Sequence, residues 1–398
     1  MNDAKLKILF LSIEYPPETG GGGIGSYVAC ITPALVKRGH EVHILSYVLG
    51  QSDRNYIVEG VYIHRRGEMK PLWLRYILRY FVRFATIDRI CTGFLNLIEY
   101  HRLGINFDVI EYPDWKAEGL FFTLLHKKPL VAHLHTPLSL IAKYDGIRMG
   151  PDCIIASFLE QFALSRADVI LSPSLLLIKE LKLCNRDKTV IIPHAIDVLN
   201  DLQSVFYTEP VILFLAHIQR LKAPEVLIEA FRIIKKCIPQ AKILFVGNNT
   251  TSYYFEHIKE LTDSIDGCEF LGYIPRDKLL PIFSRIRVLA MPSRFENFPM
   301  AAIETMAAGR PVVVTSMSGI AELINQKGGG IVVPPSNPKA LSQALIPFLL
   351  DVSYADRIGI QAKMIVKNQL NPDIIVLQKE RVYNQAISNF VRGSNNKK

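Results

Sequence analysis

Short apolar runs separated by helix-length segments of mixed polarity fill the first half of the chain. The series begins with KILFLS, a Gly-rich turn, SYVACITPALVKRG and HEVHILSY, which predict a strand, a helix and a second strand. Further apolar runs follow at FDVIEY, PLVAHLH, ADVILSPS and TVIIPHA. Strands that alternate with helices are typical of a parallel sheet with helices on both faces. The pattern therefore predicts a doubly wound α/β domain over residues 1–197.

The alternation lapses over 196–210 and then starts again. Apolar runs at VILFLAHI, AKILFVGN, CEFLGYI, RVLAMPS and PVVVT alternate with helical patterns such as APEVLIEAFRIIKKC. We therefore predict a second domain of the same class over residues 198–374. A late helix, at about 375–392, is expected to pack back onto the first domain. Two such sheets facing each other would bring the carboxyl ends of their strands to a central cleft, where ligands of open parallel sheets bind.

Composition agrees with two globular domains and indicates an anionic partner. The 398 residues exceed the length at which a single core keeps growing, and 49% of them are hydrophobic against 21% charged. The formal net charge of +9 suits a nucleotide, a membrane surface or a nucleic acid. The six cysteines lie far apart without a C-x-x-C pair, which favours a reducing compartment.

The chain begins with MNDAKLKILFLSIEYPP, which contains only a short apolar run before Glu and Pro. This pattern predicts a first strand and not a secretion signal. No stretch of about 18 uncharged apolar residues follows, so no spanning helix is expected. We therefore expect a cytoplasmic protein that could also associate with the cytosolic face of a membrane.

The segment ETGGGGIGSY follows the first predicted strand and opens a helix. Its glycines Gly20, Gly22 and Gly25 match G-x-G-x-x-G, which alone would suggest a dinucleotide fold. The acidic residue expected at the end of the second strand is missing, because that strand ends in Ser46 and Tyr47. We interpret the turn as one that meets a donor phosphate or the acceptor, with a merely flexible turn as the alternative.

The segment RFENFPMAAIETMAAGRPVVV, residues 294–314, holds two glutamates with seven residues between them. Glu304 lies among Ala, Ile and Met, where a buried carboxylate is costly unless it is paired. Two solvated helix glutamates are the alternative, which the apolar flanks disfavour.

This segment and the SMSGIAELI that follows it resemble the signature of the retaining glycosyltransferases of family 4. The similarity continues in family order through KILFLSIEYPPETGGGGIGSY, FDVIEYPDW, PLVAHLHTP, VIIPHAID, ILFVGN, FLGYIP and VLAMPSRFE. It implies an α/β chain of GT-B architecture, with two Rossmann-like domains facing a central cleft. The N-terminal domain would bind the acceptor and the C-terminal domain a nucleoside diphosphate sugar.

The resemblance also implies roles for individual residues. Glu296 would bind hydroxyls of the donor sugar and Glu304 those of the ribose, and His135 would contact the sugar near the reacting carbon. The catalytic residues implied are His135, Glu296 and Lys222. The donor-binding residues implied are Gly22, Gly23, His217, Arg220, Lys222, Gly247, Asn248, Tyr273, Ile274, Glu296, Asn297, Phe298, Pro299, Met300 and Glu304. On the acceptor side the similarity points to Glu111, Asp114 and Trp115.

One stretch departs from the family pattern. In AHIQRLKAP, Lys222 keeps its place, but His217 stands where the family has Arg, and Ala216 and Ala223 replace glycines. A departing diphosphate needs preorganised positive charge. Either a protonated His217 or Arg220 turned inward could supply it. The nucleobase is expected near Gly247, Asn248, Tyr273 and Ile274, where backbone contacts would leave its identity unreadable.

No D-x-D triplet occurs in the sequence. The resemblance therefore implies transfer with retention and without a metal ion, with a nucleoside diphosphate sugar as co-substrate and no other cofactor. Departure of the diphosphate and attack by an acceptor hydroxyl would take place on the same face of the sugar.

Residues 70–90 form a basic amphipathic pattern. Arg75, Arg79 and Arg83 lie four residues apart, with Trp73, Ile77, Tyr80 and Phe84 on the opposite arc of a helical wheel. Such a helix could lie in an anionic membrane interface or pack on its own domain, and both remain open. The first would suit a lipid-linked glycan acceptor. No nucleic-acid-binding motif accompanies the charge, so no nucleic acid partner is expected.

A glycosyltransferase is the leading hypothesis, and three others stay open at this point. The glycines suggest an NAD-dependent oxidoreductase. A sugar-nucleotide epimerase of similar two-domain form would convert the donor without an acceptor. An inactive binding homologue is suggested by His217.

Overall fold

A computed structural model describes residues 5–17, 19, 22–48, 50–67, 85–183, 186–196, 209–248 and 252–395. The chain divides into two units by its internal contacts. Unit 1 comprises residues 1–143, 147–195 and 372–398, and unit 2 comprises residues 144–146 and 196–371.

Unit 1 is built around an eight-stranded sheet in its described part, with strand order β3-β4-β2-β1-β5-β6-β7-β8. The strands are β1 (Lys7–Leu11), β2 (Glu41–Tyr47), β3 (Arg54–Val58), β4 (Val61–Arg66), β5 (Val109–Pro113), β6 (Leu130–His133), β7 (Val169–Ser172) and β8 (Thr189–Ile191). Only β3 runs antiparallel to its neighbour; the other pairs are parallel. The central strands are buried on both faces, as their continuous Val, Ile and Leu runs predict.

Unit 2 contains a six-stranded parallel sheet in its described part, with order β11-β10-β9-β12-β13-β14. Its strands are β9 (Val211–Leu215), β10 (Lys242–Val246), β11 (Cys268–Gly272), β12 (Val288–Met291), β13 (Val312–Thr315) and β14 (Gly330–Val333). One apolar cluster lies on each face of this sheet. The prediction of two parallel α/β domains is confirmed.

The helices follow the strands in the alternation that the sequence predicts. In chain order they are α1 (Gly23–Lys37), α2 (Ala85–Leu103), α3 (Leu120–Leu125), α4 (Leu138–Asp145), α5 (Pro151–Ser165), α6 (Leu175–Glu180), α7 (Pro224–Cys237), α8 (Ser252–Thr262), α9 (Leu280–Arg285), α10 (Met300–Ala307), α11 (Ala321–Lys327), α12 (Pro338–Leu350), α13 (Val352–Ile365) and α14 (Pro372–Asn395).

The hairpin of β3 and β4 and the edge strand β14 were absent from the sequence prediction. The hairpin turns at Glu59 and Gly60, both of which have positive φ, at 50° and 79°. Such a two-residue turn matches the twist of the strands it joins. A Cβ at Gly60 would lie 2.6 Å from Cγ1 of Val36, so glycine is required there for space as well as for φ.

The last helix, α14, belongs to unit 1 although it follows unit 2 in the chain. It buries an apolar stripe with helical spacing, made of Ile375, Val376, Val382, Tyr383 and Ala386. Lys379 lies in the same stripe and is fully buried. A charge at such a position needs a partner, which unit 1 supplies.

Candidate functional site

The segment that follows β12 in unit 2 holds Glu296 in a fixed place. The backbone N–H of Glu296 donates to the carbonyl of Met317 at 2.9 Å, and Gly319 donates to the carbonyl of Glu296 at 2.9 Å. These bonds attach Glu296 to the segment that follows the neighbouring strand β13. Glu296 therefore lies at the carboxyl edge of the sheet, where parallel α/β folds bind ligands.

The carboxylate of Glu296 is paired with Lys222. Lys222 Nζ lies 2.7 Å from Glu296 Oε1, and the hydroxyl of Ser293 donates to the same oxygen at 3.0 Å. Both side chains of the ion pair are largely buried, with 17% and 9% exposed. The structure therefore brings together two of the residues that the family resemblance proposes as catalytic.

A strained turn presents Lys222. Residues Arg220–Lys222 form a single 3-10 turn, and Ala223, which follows it, has φ 51° and ψ 49°. This left-handed conformation costs an alanine about 1–2 kcal/mol, which glycine does not pay. Ala223 stands where the family has glycine, so this chain keeps the backbone shape without the residue that favours it.

Glu304 lies near the middle of α10 and is 7% exposed. Its Oε1 is 2.7 Å from Nε of Arg276, and burial raises the pKa of Glu304 while Arg276 opposes that rise. Arg276, whose side chain is 42% exposed, was not identified from the sequence. This arginine is the partner that the buried carboxylate of Glu304 requires.

The start of α10 has the features of an anion-binding terminus. Pro299 is the N-cap residue, and no side chain caps the helix. The carbonyl of Pro299 accepts from Ala302 at 3.2 Å and from Ile303 at 3.3 Å. The first amides of a helix have no acceptor within the helix, and the helix dipole favours negative charge there. The neighbouring candidates Asn297, Phe298 and Met300 are all buried.

His217 and Arg220 are both exposed. Desolvation and then the ammonium of Lys222 lower the pKa of His217, although a hydrogen bond with the backbone of Asn248 opposes the shift. The imidazole of His217 is therefore harder to protonate than that of an ordinary histidine, whereas the sequence interpretation offered a protonated His217 as one of two possible cations.

The expected nucleobase region lies beside the ends of β10 and β11. Gly247 has φ 149°, and a Cβ there would lie 2.0 Å from the carbonyl oxygen of Ala216, so only glycine fits. A small cavity of about 110 Å³ is lined by Ile218, Phe245, Gly247, Asn248, Phe255, Phe270 and Gly272. Tyr273 is exposed and Ile274 packs against the core of unit 2.

In unit 1, His135 follows β6 and is 8% exposed. Its backbone N–H donates to Asp114 Oδ1 at 2.8 Å, and its ring stacks on that of His133, with centroids 4.7 Å apart. Burial, and then the neighbouring rings of His133 and His194, lower the pKa of His135 well below its usual value. Asp114 therefore fixes the backbone of His135, and the ring of His133 fixes the face of its neutral imidazole.

Glu111 on β5 is 2% exposed and binds four donors. Tyr27 Oη at 3.1 Å and His133 Nδ1 at 3.1 Å contact its Oε1, Tyr383 Oη at 2.7 Å contacts its Oε2, and Lys379 Nζ contacts both oxygens, the nearer at 2.7 Å. Burial would raise the pKa of Glu111, but Lys379 and His133 outweigh it and hold the pKa at about 2. Both carboxylate oxygens of Glu111 are thus engaged by side chains of unit 1.

Of the other two residues proposed for the acceptor side, Asp114 is buried and Trp115 is partly buried. Asp114 is 3% exposed, and burial raises its pKa to about 8 despite the hydrogen bond from the backbone of His135. The ring of Trp115 lies 5.5 Å from the guanidinium carbon of Arg89. Asp114 therefore positions the backbone of His135, while Trp115 packs on a buried arginine.

The described part of the Gly-rich turn places Gly22 at the N-cap of α1, with Gly23 as the first helical residue. A Cβ at Gly22 would lie 2.8 Å from Glu14 Oε2, whereas Gly23 faces open space. Burial raises the pKa of Glu14, whose carboxyl group also hydrogen-bonds with the backbone of Gly25. An internal carboxyl group thus occupies this helix start, where the sequence led us to expect a phosphate or the acceptor.

Most of the basic pattern at 70–90, namely residues 70–84, lies outside the described residues. The described remainder begins α2 at Ala85. In the part of the chain that the structure covers, no helix has the length and apolarity needed to cross a bilayer. Within the same part, no cluster of three or more His, Cys, Asp or Glu side chains is arranged to hold a metal ion.

Two family models match the chain one after the other. The model described as Glycosyltransferase Family 4 matches residues 21–198, and the model described as Glycosyl transferases group 1 matches residues 203–364. An uncharacterized glycosyltransferase of Methanocaldococcus jannaschii is 26% identical over 96% of this chain and 99% of its own. The D-inositol 3-phosphate glycosyltransferase of Paenarthrobacter aurescens is 26% identical over 87% of this chain and 89% of its own.

Solved structures share the fold over nearly the whole chain. Sucrose-phosphate synthase of Thermosynechococcus elongatus gives a TM-score of 0.73 at 21% identity, covering 96% of this chain and all of that one. The Anabaena HepE protein in complex with UDP and glucose gives 0.68 at 16% identity, covering 95% and 99%. The chain belongs to glycosyltransferase family 4 and has the GT-B fold. It is a glycosyltransferase, and the matches favour neither the oxidoreductase nor the epimerase.

Proposed function

We propose that this glycosyltransferase transfers a sugar from a nucleoside diphosphate sugar to an acceptor hydroxyl, with retention and without a metal ion. The acceptor class we propose is a glycan or a lipid-linked glycan of the cell surface. The observation that carries the proposal is the pairing of Lys222 with Glu296 at the carboxyl edge of the unit 2 sheet. The pair joins a cation suited to a diphosphate to a carboxylate suited to sugar hydroxyls.

The charged residues proposed to hold the donor already form ion pairs within the protein. Lys222 would exchange part of its contact with Glu296 for the diphosphate, while Glu296 accepts from the hydroxyls of the sugar. Glu304 would exchange Arg276 for the ribose hydroxyls, because the half-exposed side chain of Arg276 can move into solvent. A carboxylate that accepts two hydroxyls is a satisfied buried charge.

The remaining donor contacts are assigned to backbone atoms. The first amides of α10 would face the diphosphate or the sugar, since no side chain caps that helix. Gly247 and Asn248, beside the small cavity at the ends of β10 and β11, would meet the nucleobase. His135 is assigned, by the family resemblance, to the transferred sugar near its reacting carbon.

The chemical step requires no protein nucleophile in this proposal. The bond from the sugar carbon to the phosphate oxygen breaks, and its electron pair leaves with the nucleoside diphosphate. The acceptor oxygen bonds to the same carbon from the same face, and its proton passes to the leaving phosphate oxygen. Lys222 stabilises the negative charge that develops on the diphosphate.

Two named relatives support the choice of substrates. The Anabaena HepE protein is described in complex with UDP and glucose, and it shares this fold. The relative from Paenarthrobacter aurescens is a glycosyltransferase of D-inositol 3-phosphate, a compound that offers hydroxyl groups. Both agree with a nucleotide-linked donor and a hydroxyl acceptor for this chain.

The proposal is tested first with the donor alone and then with its products. A thermal-shift screen against UDP-, GDP- and ADP-sugars, with NAD and NADP as controls, is expected to give a shift with one class of sugar nucleotide. A response to NAD alone would contradict the proposal. Release of nucleoside diphosphate should persist in EDTA, and NMR of the product should show the anomeric configuration of the donor. Loss of activity in EDTA would contradict metal independence, and a product of inverted anomeric configuration would contradict retention.

The same experiments distinguish a transferase from the remaining alternative, an epimerase. An epimerase would change the donor sugar without any acceptor, whereas transfer requires one. Location at the cytosolic face of a membrane is part of this proposal, since a lipid-linked acceptor would be presented there.

A further inference from the structure

Unit 1 carries an exposed apolar surface on helices that are not part of the proposed donor site. Seven large apolar side chains on α2, α3 and α5 are between 41% and 63% exposed. We call them the outer apolar face: Ile90, Phe94, Leu124, Leu125, Ile154, Ile155 and Phe158. Single exposed apolar residues are ordinary, but several on adjacent helices mark an interaction surface.

Aromatic contacts join these helices into one surface. The rings of Phe94 on α2 and Phe121 on α3 have centroids 5.6 Å apart, and those of Phe158 and Phe162 on α5 are 6.4 Å apart. Phe121 and Phe162 pack together against the small buried cluster of Ala117, Leu120 and Ala163. The exposed side chains therefore stand on a common half-buried base.

The exposed side of α5 carries no charge along the length of the helix. Its exposed residues are Pro151, Ile154, Ile155, Phe158, Gln161 and Ser165. The two acidic residues of α5 point elsewhere: Asp152 accepts from the backbone of Ala85 and Thr86, and the buried Glu160 pairs with Arg89. An uncharged surface that runs the length of a helix is suited to an apolar environment.

Cations border the outer apolar face. Arg148 is exposed just before α5, and Lys127 is exposed just after α3. Arg166, at the end of α5, lies with its guanidinium carbon 5.5 Å from the centre of the Phe162 ring. The acid Asp88 on α2 is already paired with Lys116 at 3.3 Å and Arg89 at 3.4 Å. Apolar side chains bordered by exposed cations match the interior and the headgroups of an anionic bilayer.

The sequence that precedes α2 is also basic. Residues 68–84 carry Lys70, Arg75, Arg79 and Arg83 in the sequence and are joined directly to α2 at Ala85. The amide of Thr86 bonds to Asp152 Oδ1 at the start of α5, at 3.0 Å. The basic sequence is therefore covalently attached beside the outer apolar face.

We propose that the outer apolar face of unit 1 docks on an anionic phospholipid bilayer, with the side chains of α5 entering the interface. The inference extends the proposed function, because a lipid-linked acceptor would then be met at the surface where the enzyme docks. It does not depend on which sugar or nucleobase the donor carries.

The test is sedimentation of the purified full chain with sucrose-loaded vesicles at low salt. One set of vesicles is pure phosphatidylcholine and the other contains about one third phosphatidylglycerol. We expect the wild type to bind the anionic vesicles, and Ile155→Glu with Phe158→Glu to reduce the partition coefficient at least tenfold. The matched controls are Tyr253→Glu and Ile360→Glu in unit 2, which replace apolar side chains that are 88% and 66% exposed. They should bind as the wild type does.

Each outcome decides the proposal. Equal binding by the double variant, or no sedimentation of the wild type with anionic vesicles, would overturn it. So would light scattering that shows a wild-type dimer which the double variant dissociates, because a second copy would then cover the face. The donor-induced thermal shift should be the same in all variants. Its absence from all of them, with vesicle binding intact, would count against the proposed function and not against docking.

Discussion

Lys222 Nζ and Glu296 Oε1 lie 2.7 Å apart and join the turn before α7 to the segment after β12. The partners come from separate loops, so the ammonium is held in place before any donor arrives. A preorganised cation of this kind is more effective than one that must be recruited.

Replacing Lys222 by Ala should reduce kcat about 100-fold to 1000-fold, because a preorganised group that stabilises leaving-group charge is lost. Steady-state kinetics with the donor identified by the thermal-shift screen measure the change. Lys236→Ala, which removes an exposed cation near the far end of α7, is the matched control and should retain most of the activity. Equal losses in both variants would show that general charge, and not the Lys222 position, is responsible.

His217→Arg should strengthen donor binding by about tenfold, or about 1.4 kcal/mol, because it adds a permanent cation in place of an imidazole whose pKa is lowered. In the wild type, the lowered pKa of His217 means that the ring gains its proton only below its usual range. Donor affinity should therefore rise as the pH falls through the region below 6.5. Calorimetric titrations at pH 5.5 and 7.5 would contradict this if the variant and the wild type changed equally with pH.

Lys379→Met should destabilise the protein by about 3–5 kcal/mol, since it leaves the buried carboxylate of Glu111 without its ion-pair partner. Urea unfolding measures the effect. The control Lys242→Met breaks a surface pair with Glu209 and should cost less than about 1 kcal/mol. Adding Glu111→Gln to Lys379→Met should recover part of the loss, because the uncompensated charge is then removed. No recovery would mean that the packing of Lys379, and not its charge, matters.

Glu118→Gln should make the protein less sensitive to alkaline pH. Burial raises the pKa of Glu118 to about 8, with Lys116 and a backbone hydrogen bond from Ile13 opposing it. Between its ordinary value and about 8, the folded chain binds a proton that the unfolded chain releases, so stability falls as the pH rises through that window. The variant should be more stable than the wild type by about 1–3 kcal/mol at pH 9 and nearly equal to it at pH 5.

Thermal unfolding at the two pH values measures this difference. Asp114, whose pKa is also raised to about 8, contributes equally to the pH dependence of stability in the wild type and in the variant. The exposed Glu269→Gln is the control, and its unfolding temperature should follow the wild type at both pH values. The same behaviour from Glu118→Gln would show that this carboxyl group does not carry the pH dependence.

The sequence was sufficient for the class of fold, because buried parallel strands are continuous apolar runs. It was also sufficient to say that Glu304 needs a partner. It could not name Arg276, because the partner depends on how far the segment after β11 reaches along α10, and no local pattern encodes that distance. The β3–β4 hairpin was missed because its turn, Glu59–Gly60, lacks the Asn-Gly or Asp-Gly pair that marks such turns.

Some of what was missed had a signal in the sequence. Lys379 lies on the apolar stripe of α14 between Val376 and Val382, and a charge in that position indicates a buried ion pair. Its partner Glu111 lies in the apolar strand β5, and the sequence interpretation placed it on the acceptor side of the site instead. Two unexplained buried charges of opposite sign could have been paired from sequence alone. Their hydrogen bonds to Tyr27 and Tyr383 could not, since these depend on tertiary packing.

The most direct test of the donor site is calorimetric titration of the identified sugar nucleotide into the wild type and into Glu304→Gln. The account predicts a ten- to a hundredfold weaker Kd for the variant, about 1.5–3 kcal/mol, because charge-assisted hydrogen bonds to the ribose are lost. Glu260→Gln, an exposed position on α8, should bind the donor as the wild type does. An unchanged Kd for Glu304→Gln would contradict the assignment of this carboxylate, and with it the donor site proposed for unit 2.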